Sequence, residues 1–261
     1  MRLTRRVSLG GVYLDEIDDS IVIRGVDPGT PEESISTVPR MGGAGSRITA
    51  QHYNQLDATV NFAIMVPKRN LKKRSEIYRA VIAWAMQKGY LKFNTMPNMR
   101  MLVEKVIVSS PGDLYEWEKD FTITFRAVSI PFWIDSSNTT VTRSTITNGS
   151  VSVEIGGDVE TYCNITCKNK SGKVINNLSV DTGLSKMTFT GLELAGSEEL
   201  VIDHSYGILR IRIKNTAGKY RSAMGKRSGA DDLWIKPGVN TITISSDRAV
   251  QLTVETYGRY L

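Results

Sequence analysis

The sequence predicts a mostly-β protein of two domains with a single α-helix, and three observations predict it. Short runs that alternate apolar and polar residues recur along the chain, as where Phe121, Ile123, Phe125 and Ala127 are set against Thr122, Thr124, Arg126 and Val128. That period of two marks half-buried strands. One stretch, NLKKRSEIYRAVIAWAMQKG, carries helical spacing instead. The composition then changes abruptly after Ile134, to DSSNTTVTRSTITNGS, in a chain of 261 residues. At about 150 residues per domain that length suits two, and the boundary is placed at 1–135 and 136–261.

Taken in order, VSLGGVYLD and SIVIRGVDPG read as strands broken by turn clusters, and the region from Gly25 to Arg47 reads as a Gly-, Pro- and Ser-rich connector. Val60, Phe62, Ile64 and Val66 alternate with Thr59, Asn61, Ala63 and Met65 until Pro67 ends the strand. The helix follows over about 70–88, with Asn70 as N-cap and Gly89 just past its end. Ile77, Val81, Trp84 and Ala85 form its apolar stripe, widened by Tyr78 and Ile82. Its first turn carries Lys72, Lys73 and Arg74, after Lys68 and Arg69. Cations oppose the dipole at a helix N-terminus, so this basic cluster is either a solvated face or a contact with an acidic partner or with passing nucleic acid. YLKFN, MLVEKVIVSS and DFTITFRAVSIPFW then resume the strands.

From Gly149 onward eight short alternating runs, from VSVEI to AVQLTVETY, predict an antiparallel sandwich. NTAGKYRSAMGKRSGADD reads as a long basic loop. In DLWIKPGVNTITIS, Pro237-Gly238 is a favoured turn pair and Trp234 is expected to be largely buried, its segment closing a hairpin. The rival reading makes Trp234 and Tyr206 a stacking platform for glycans.

The raw material for catalysis is thin. The only histidines are His52, expected to be a satisfied structural residue, and His204, in a probable turn, while acidic pairs such as Asp231-Asp232 sit in turn contexts. Cys163 and Cys167 share a strand face about 13 Å apart, too far for a disulfide, and are expected in the core. No GxxxxGK[ST] loop is present, and the VPRMGGAGSRIT run has no helix behind it. No catalytic, metal or cofactor residue is assigned, and the reading is non-enzymatic. A net charge of +6 permits an anionic partner. Neither a transmembrane run nor the apolar core of a signal peptide is seen, so membrane insertion is not expected and the chain reads as made in the cytoplasm.

A β-rich first half broken by one helix, then GYLKFNTMPNMRMLVEKV, FRAVSIPFWID, ELAGSEELVIDHSYGILRI, DLWIKPGVNTITIS and VETYGRYL, resembles in order and character the distal tail (Dit) family of long-tailed phages. The resemblance covers essentially the whole chain, through loose patterns of turns and strands. It implies an N-terminal β-sandwich or barrel-like ring domain with one helix and a C-terminal galectin-like β-sandwich. It further implies a structural virion protein at the tail tip, assembled as a homo-hexamer around the genome channel. The implied partners are the tail-tube protein and the tail-associated tip protein, with receptor-binding or baseplate proteins in some phages, and contact with genomic DNA would be transient and non-specific. On this reading the Lys68–Arg74 cluster faces an acidic neighbour or the channel, and the Gly25–Arg47 connector touches another subunit. The alternative function is a carbohydrate-binding adhesin.

Overall fold

The computed structural model describes residues 5–39, 46–67, 70–109, 120–204 and 208–261. The chain forms two compact units, Met1–Ser136 with Leu261, and Ser137–Tyr260. Among the described residues it is mostly β with one α-helix, and its strands pair antiparallel.

The first unit runs through β1 (Val7–Leu9), β2 (Val12–Tyr13), β3 (Ile21–Asp27), β4 (Glu33–Pro39), β5 (Ser46–Tyr53) and β6 (Leu56–Ile64), then α1 (Leu71–Met86). It continues with β7 (Gly89–Phe93), β8 (Met99–Val103), β9 (Lys105–Val108), β10 (Phe121–Ala127) and β11 (Trp133–Asp135). One sheet sets β2, β1, β7, β8 and β11 side by side, and a second has the order β3-β6-β10-β9. The alternation in β6 and β10 puts Leu56, Ala58, Val60 and Phe62 inside with Phe121, Ile123, Phe125 and Ala127. Phe62 and Phe121 are register partners, and their rings stack at 5.4 Å.

The helix buries Ile77, Val81, Trp84 and Ala85, as its stripe predicts. Trp84 meets Phe125 of β10 edge-on at 5.9 Å, while its Nε1 donates to the Val12 carbonyl at 3.0 Å, so one side chain is anchored to both sheets. Asn70 caps the N-terminus by accepting from the Lys73 N–H. At the other end Lys88, not Gly89, is the first residue in the left-handed region, with φ 59°, and Gly89 already belongs to β7.

The run MLVEKVIVSS is two strands in different sheets, split at Glu104. The Glu104 carboxylate accepts from the N–H groups of Val128 and Ser129 at 2.6 Å and from the Ser129 hydroxyl. Burial alone would raise its pKa, but these donors outweigh burial and hold it below the ordinary carboxylate value.

The second unit contains β12 (Thr139–Ile155), β13 (Thr161–Tyr162), β14 (Asn164–Asn169), β15 (Leu178–Asp181), β16 (Lys186–Phe189) and β17 (Glu199–Asp203). It ends with β18 (Arg210–Lys214), β19 (Tyr220–Ser222), β20 (Arg227–Gly229), β21 (Trp234–Ile235), β22 (Gly238–Thr256) and β23 (Arg259–Tyr260). Its main sheet has the order β19-β18-β17-β14-β22-β15-β16-β20, with β12 also paired to β22. The C-terminal half of β22 carries β14 and its N-terminal half carries β15. Both halves bury their inward residues in one cluster that includes Ile165, Cys167, Val180, Ile244 and Leu252. Register shifts in β12 between Arg143 and Asn148 bend the pair where it passes from one half to the other.

Five expectations change here. The polar stretch after Ile134 is strand from Thr139, because β12 pairs with β22 along its length although few of its early residues are buried. NTITIS and AVQLTVETY are one strand of 19 residues. The long basic loop contains β19 and β20, and the Gly25–Arg47 connector contains β4, which forms a hairpin with β5. Finally, β21 does not close a hairpin on β22: Trp234 and Ile235 pair with Tyr162 and Thr161 of β13.

Candidate functional site

Three places bear on function. The first is the β4-β5 hairpin, whose strands pair only with each other. Ile35, Val38 and Ile48 on it are 49%, 52% and 56% exposed. An isolated two-stranded hairpin is marginally stable in water, and a group of exposed aliphatic side chains marks a contact surface. Sequence reasoning takes the segment from Ser46 to Val66, which includes β5, as strand-like, but misses β4 and so the hairpin. The signal was present as two runs, ESISTVP and SRITAQHY, on either side of a glycine-rich stretch. His52 lies on the same hairpin and is exposed, not a satisfied structural residue, whereas its neighbour Tyr53 packs edge-on against Phe132 at 5.1 Å. Asp57 is engaged elsewhere, holding the Arg126 guanidinium through two hydrogen bonds of 2.7 and 2.6 Å.

The second place is the start of α1. Lys72 and Lys73 are exposed, whereas Arg74 is only 2% exposed. Lys73 Nζ stands 3.6 Å from Asp18, whose carboxyl is held low mainly by hydrogen bonds from Ser20 and further by that lysine. Among the described residues the Arg74 guanidinium nitrogens have no hydrogen-bond partner, and its Cζ lies 6.0 Å from the Phe121 ring centroid. Burial pushes its pKa down. The predicted basic cluster is thus divided between surface and interior, and Lys68 and Arg69 lie outside the described residues.

The third place surrounds Trp234. Trp234 is largely though not fully buried, as expected, even though the two-residue β21 runs beside β13 alone. The Tyr162 ring centroid is 4.2 Å from that of Trp234, and the Tyr162 ring stacks on that of His204 at 4.8 Å and 8°. Arg259 lies over both Tyr162 and Trp234, at 4.5 and 5.6 Å. His204 is buried, its Nε2 accepts from the Leu233 N–H at 3.4 Å, and Asp232 lies 3.5 Å away. Burial lowers the histidine pKa and prevails over the opposite pull of Asp232 and Asp203. The column is closely packed, leaving Trp234 only part of one ring to offer a ligand. Tyr206, its proposed companion, lies outside the described residues.

Neither cysteine is reactive: both are free and buried, with thiols pushed up to about 12 by desolvation. Among the described residues no group of three or more His, Cys, Asp or Glu side chains could hold a metal ion. No described helix is long and apolar enough to cross a membrane.

These features define a two-unit antiparallel β protein whose prominent surface feature is an apolar hairpin arm. The fold is that of the Dit protein of phage SPP1, a paradigm of the hub adsorption apparatus in phages infecting Gram-positive bacteria. The match covers 99% of this chain and 100% of that one, with a TM-score of 0.69 at 13% identity. A chain of the phage P2 baseplate, in its activated conformation with Ca, also matches, over 97% of this chain and 98% of that one, with a TM-score of 0.48 and 10% identity. No protein-family model matches the chain, and no curated protein matches it.

Proposed function

We propose that the chain is a non-catalytic structural subunit of a phage tail tip, a hub that joins the tail tube to the tip or baseplate. The observation that carries this reading is the end-to-end likeness to the SPP1 hub protein, which spans both units rather than one common β module. Fold alone does not assign function, and the hairpin arm adds independent support, since its exposed aliphatics suit burial against another chain.

In this reading residues 1–135 form a ring domain, six copies surround the genome channel, and residues 136–261 form a galectin-like domain that projects outward. A tail-tube protein binds one face and a tail-associated tip protein the other, with receptor-binding or baseplate proteins added in some particles. Exposed Lys72 and Lys73, together with Lys68 and Arg69, meet an acidic neighbour or line the channel, where phosphate attraction is weak and salt-dependent. Imaging of the purified protein, with native mass measurement, tests the assembly. Sixfold rings, alone or as face-to-face pairs, are the expected result. A protein that stays monomeric even with its tail partners present overturns the reading.

A further inference from the structure

We propose that the outer face formed by β12, β22, β15, β16 and β20 of the second unit is a binding face for a neutral glycan chain. A row of small polar side chains crosses all five strands. Asn148 is opposite Ser245, Ser245 opposite Ser179, Ser179 opposite Thr188, and Thr188 opposite Ser228. At the usual spacing between strands of about 4.8 Å, the four gaps give a row about 19 Å long, suited to several linked sugar rings. Each of these side chains lies on the outward side of its strand, while the neighbours Leu178, Phe189 and Ile244 turn into the core.

Part of the face is recessed. A depression of about 320 Å³ lies over it, lined by Asn148, Asn177, Ser179, Thr188, Thr190 and Ser245 among others. That volume falls in the range of small-ligand sites. Its hydrogen-bonding capacity is largely unused, because among the described residues the side chains of Asn177, Ser179, Thr188 and Thr190 bond to no other protein group. The Ser245 hydroxyl donates to Asn148 Oδ1 at 2.7 Å, which leaves the Asn148 NH₂ directed to other acceptors. At the margin the Asp247 carboxylate accepts from the N–H groups of Asn176 and Asn177 at 3.2 and 3.3 Å.

The chemistry selects the ligand class. No cation lines the depression, so an anionic polymer gains nothing there. Its two apolar lining residues, Leu178 and Phe189, are buried beneath it at 1% and 0% exposure, so it lacks the apolar and aromatic contacts that form the centre of a protein interface. Hydroxyl and amide groups that both donate and accept match a ligand built of hydroxyls. Each such bond replaces one to water and is weak alone, so a repeating chain that engages the whole row is favoured over a single sugar.

The test is a titration of the isotope-labelled full chain with neutral oligosaccharides, including maltohexaose, cellohexaose and a galactan fragment, followed by backbone NMR shifts. Oligogalacturonate serves as the anionic control. At least one neutral saccharide is expected to shift resonances around Asn148, Asn177–Ser179, Thr188–Thr190 and Ser245. The Ser179→Ala/Thr188→Ala double variant, which only deletes hydroxyls, and Thr188→Lys are each expected to lower affinity at least tenfold with the remaining spectrum unchanged. Shifts confined to another face, tighter binding of oligogalacturonate, unaltered binding by a folded variant, or no shift with any neutral saccharide would overturn the assignment.

Discussion

Arg74 shows how one residue can depart from its surface class. A guanidinium that is buried without a hydrogen-bond partner keeps the cost of desolvation with little return. Replacement by an isosteric apolar side chain is therefore expected to stabilise: Arg74→Met raises the unfolding free energy in urea by about 1 kcal/mol or more. Loss of stability would show that the charge is satisfied. His204 makes a pH prediction. Its pKa is lowered in the folded protein, so the unfolded chain takes up a proton first as the solution is acidified. Stability is fully present above the unfolded value of about 6.5 and is lost as pH falls from there toward the folded pKa. His204→Asn is expected to flatten that slope in unfolding curves measured across the interval. At Gly29 the backbone has φ +64° and an added Cβ would lie 1.9 Å from the Asp57 carbonyl oxygen. Gly29→Ala is expected to cost about 2 kcal/mol or more, read in the same denaturation assay.

The β4-β5 arm gives the clearest prediction for an element. Ile35→Asp and Ile48→Asp change exposed positions, so the unassembled protein is expected to keep its stability within about 0.5 kcal/mol. Ring assembly, followed by native mass measurement, is expected to fall sharply. A variant that still assembles would remove the arm from the interface. The arm also shows where sequence reading stops. Strands with one buried face, such as β6 and β10, were legible because burial imposes the alternation. The stripe of α1 was legible for the same reason. The first half of β12 and strand β4 bury little, so no core imposed a pattern on them, and they read as a domain boundary and a connector. The basic cluster was visible as charge, but its division at Arg74 depends on what packs over the first turn of the helix. The polar row was hidden because Asn148, Ser179, Thr188, Ser228 and Ser245 are brought together only by the register of five strands.

For the molecule as a whole, the division into two units with separate cores predicts two unfolding transitions in calorimetry. His204→Asn is expected to move only the transition of the second unit. A single transition in which both units respond to that substitution would show them to be thermodynamically coupled.

The long antiparallel pair of β12 and β22 sets Thr139 opposite Thr256 at one end and Ile155 opposite Gly238 at the other. A pull that separates the strands at the Thr139–Thr256 end meets their hydrogen bonds one after another, since ladder bonds run across the strands. A pull that slides one strand lengthwise past the other strains the whole ladder together. The second unit is therefore mechanically direction-dependent, compliant to peeling at that end and stiff to shear along its length.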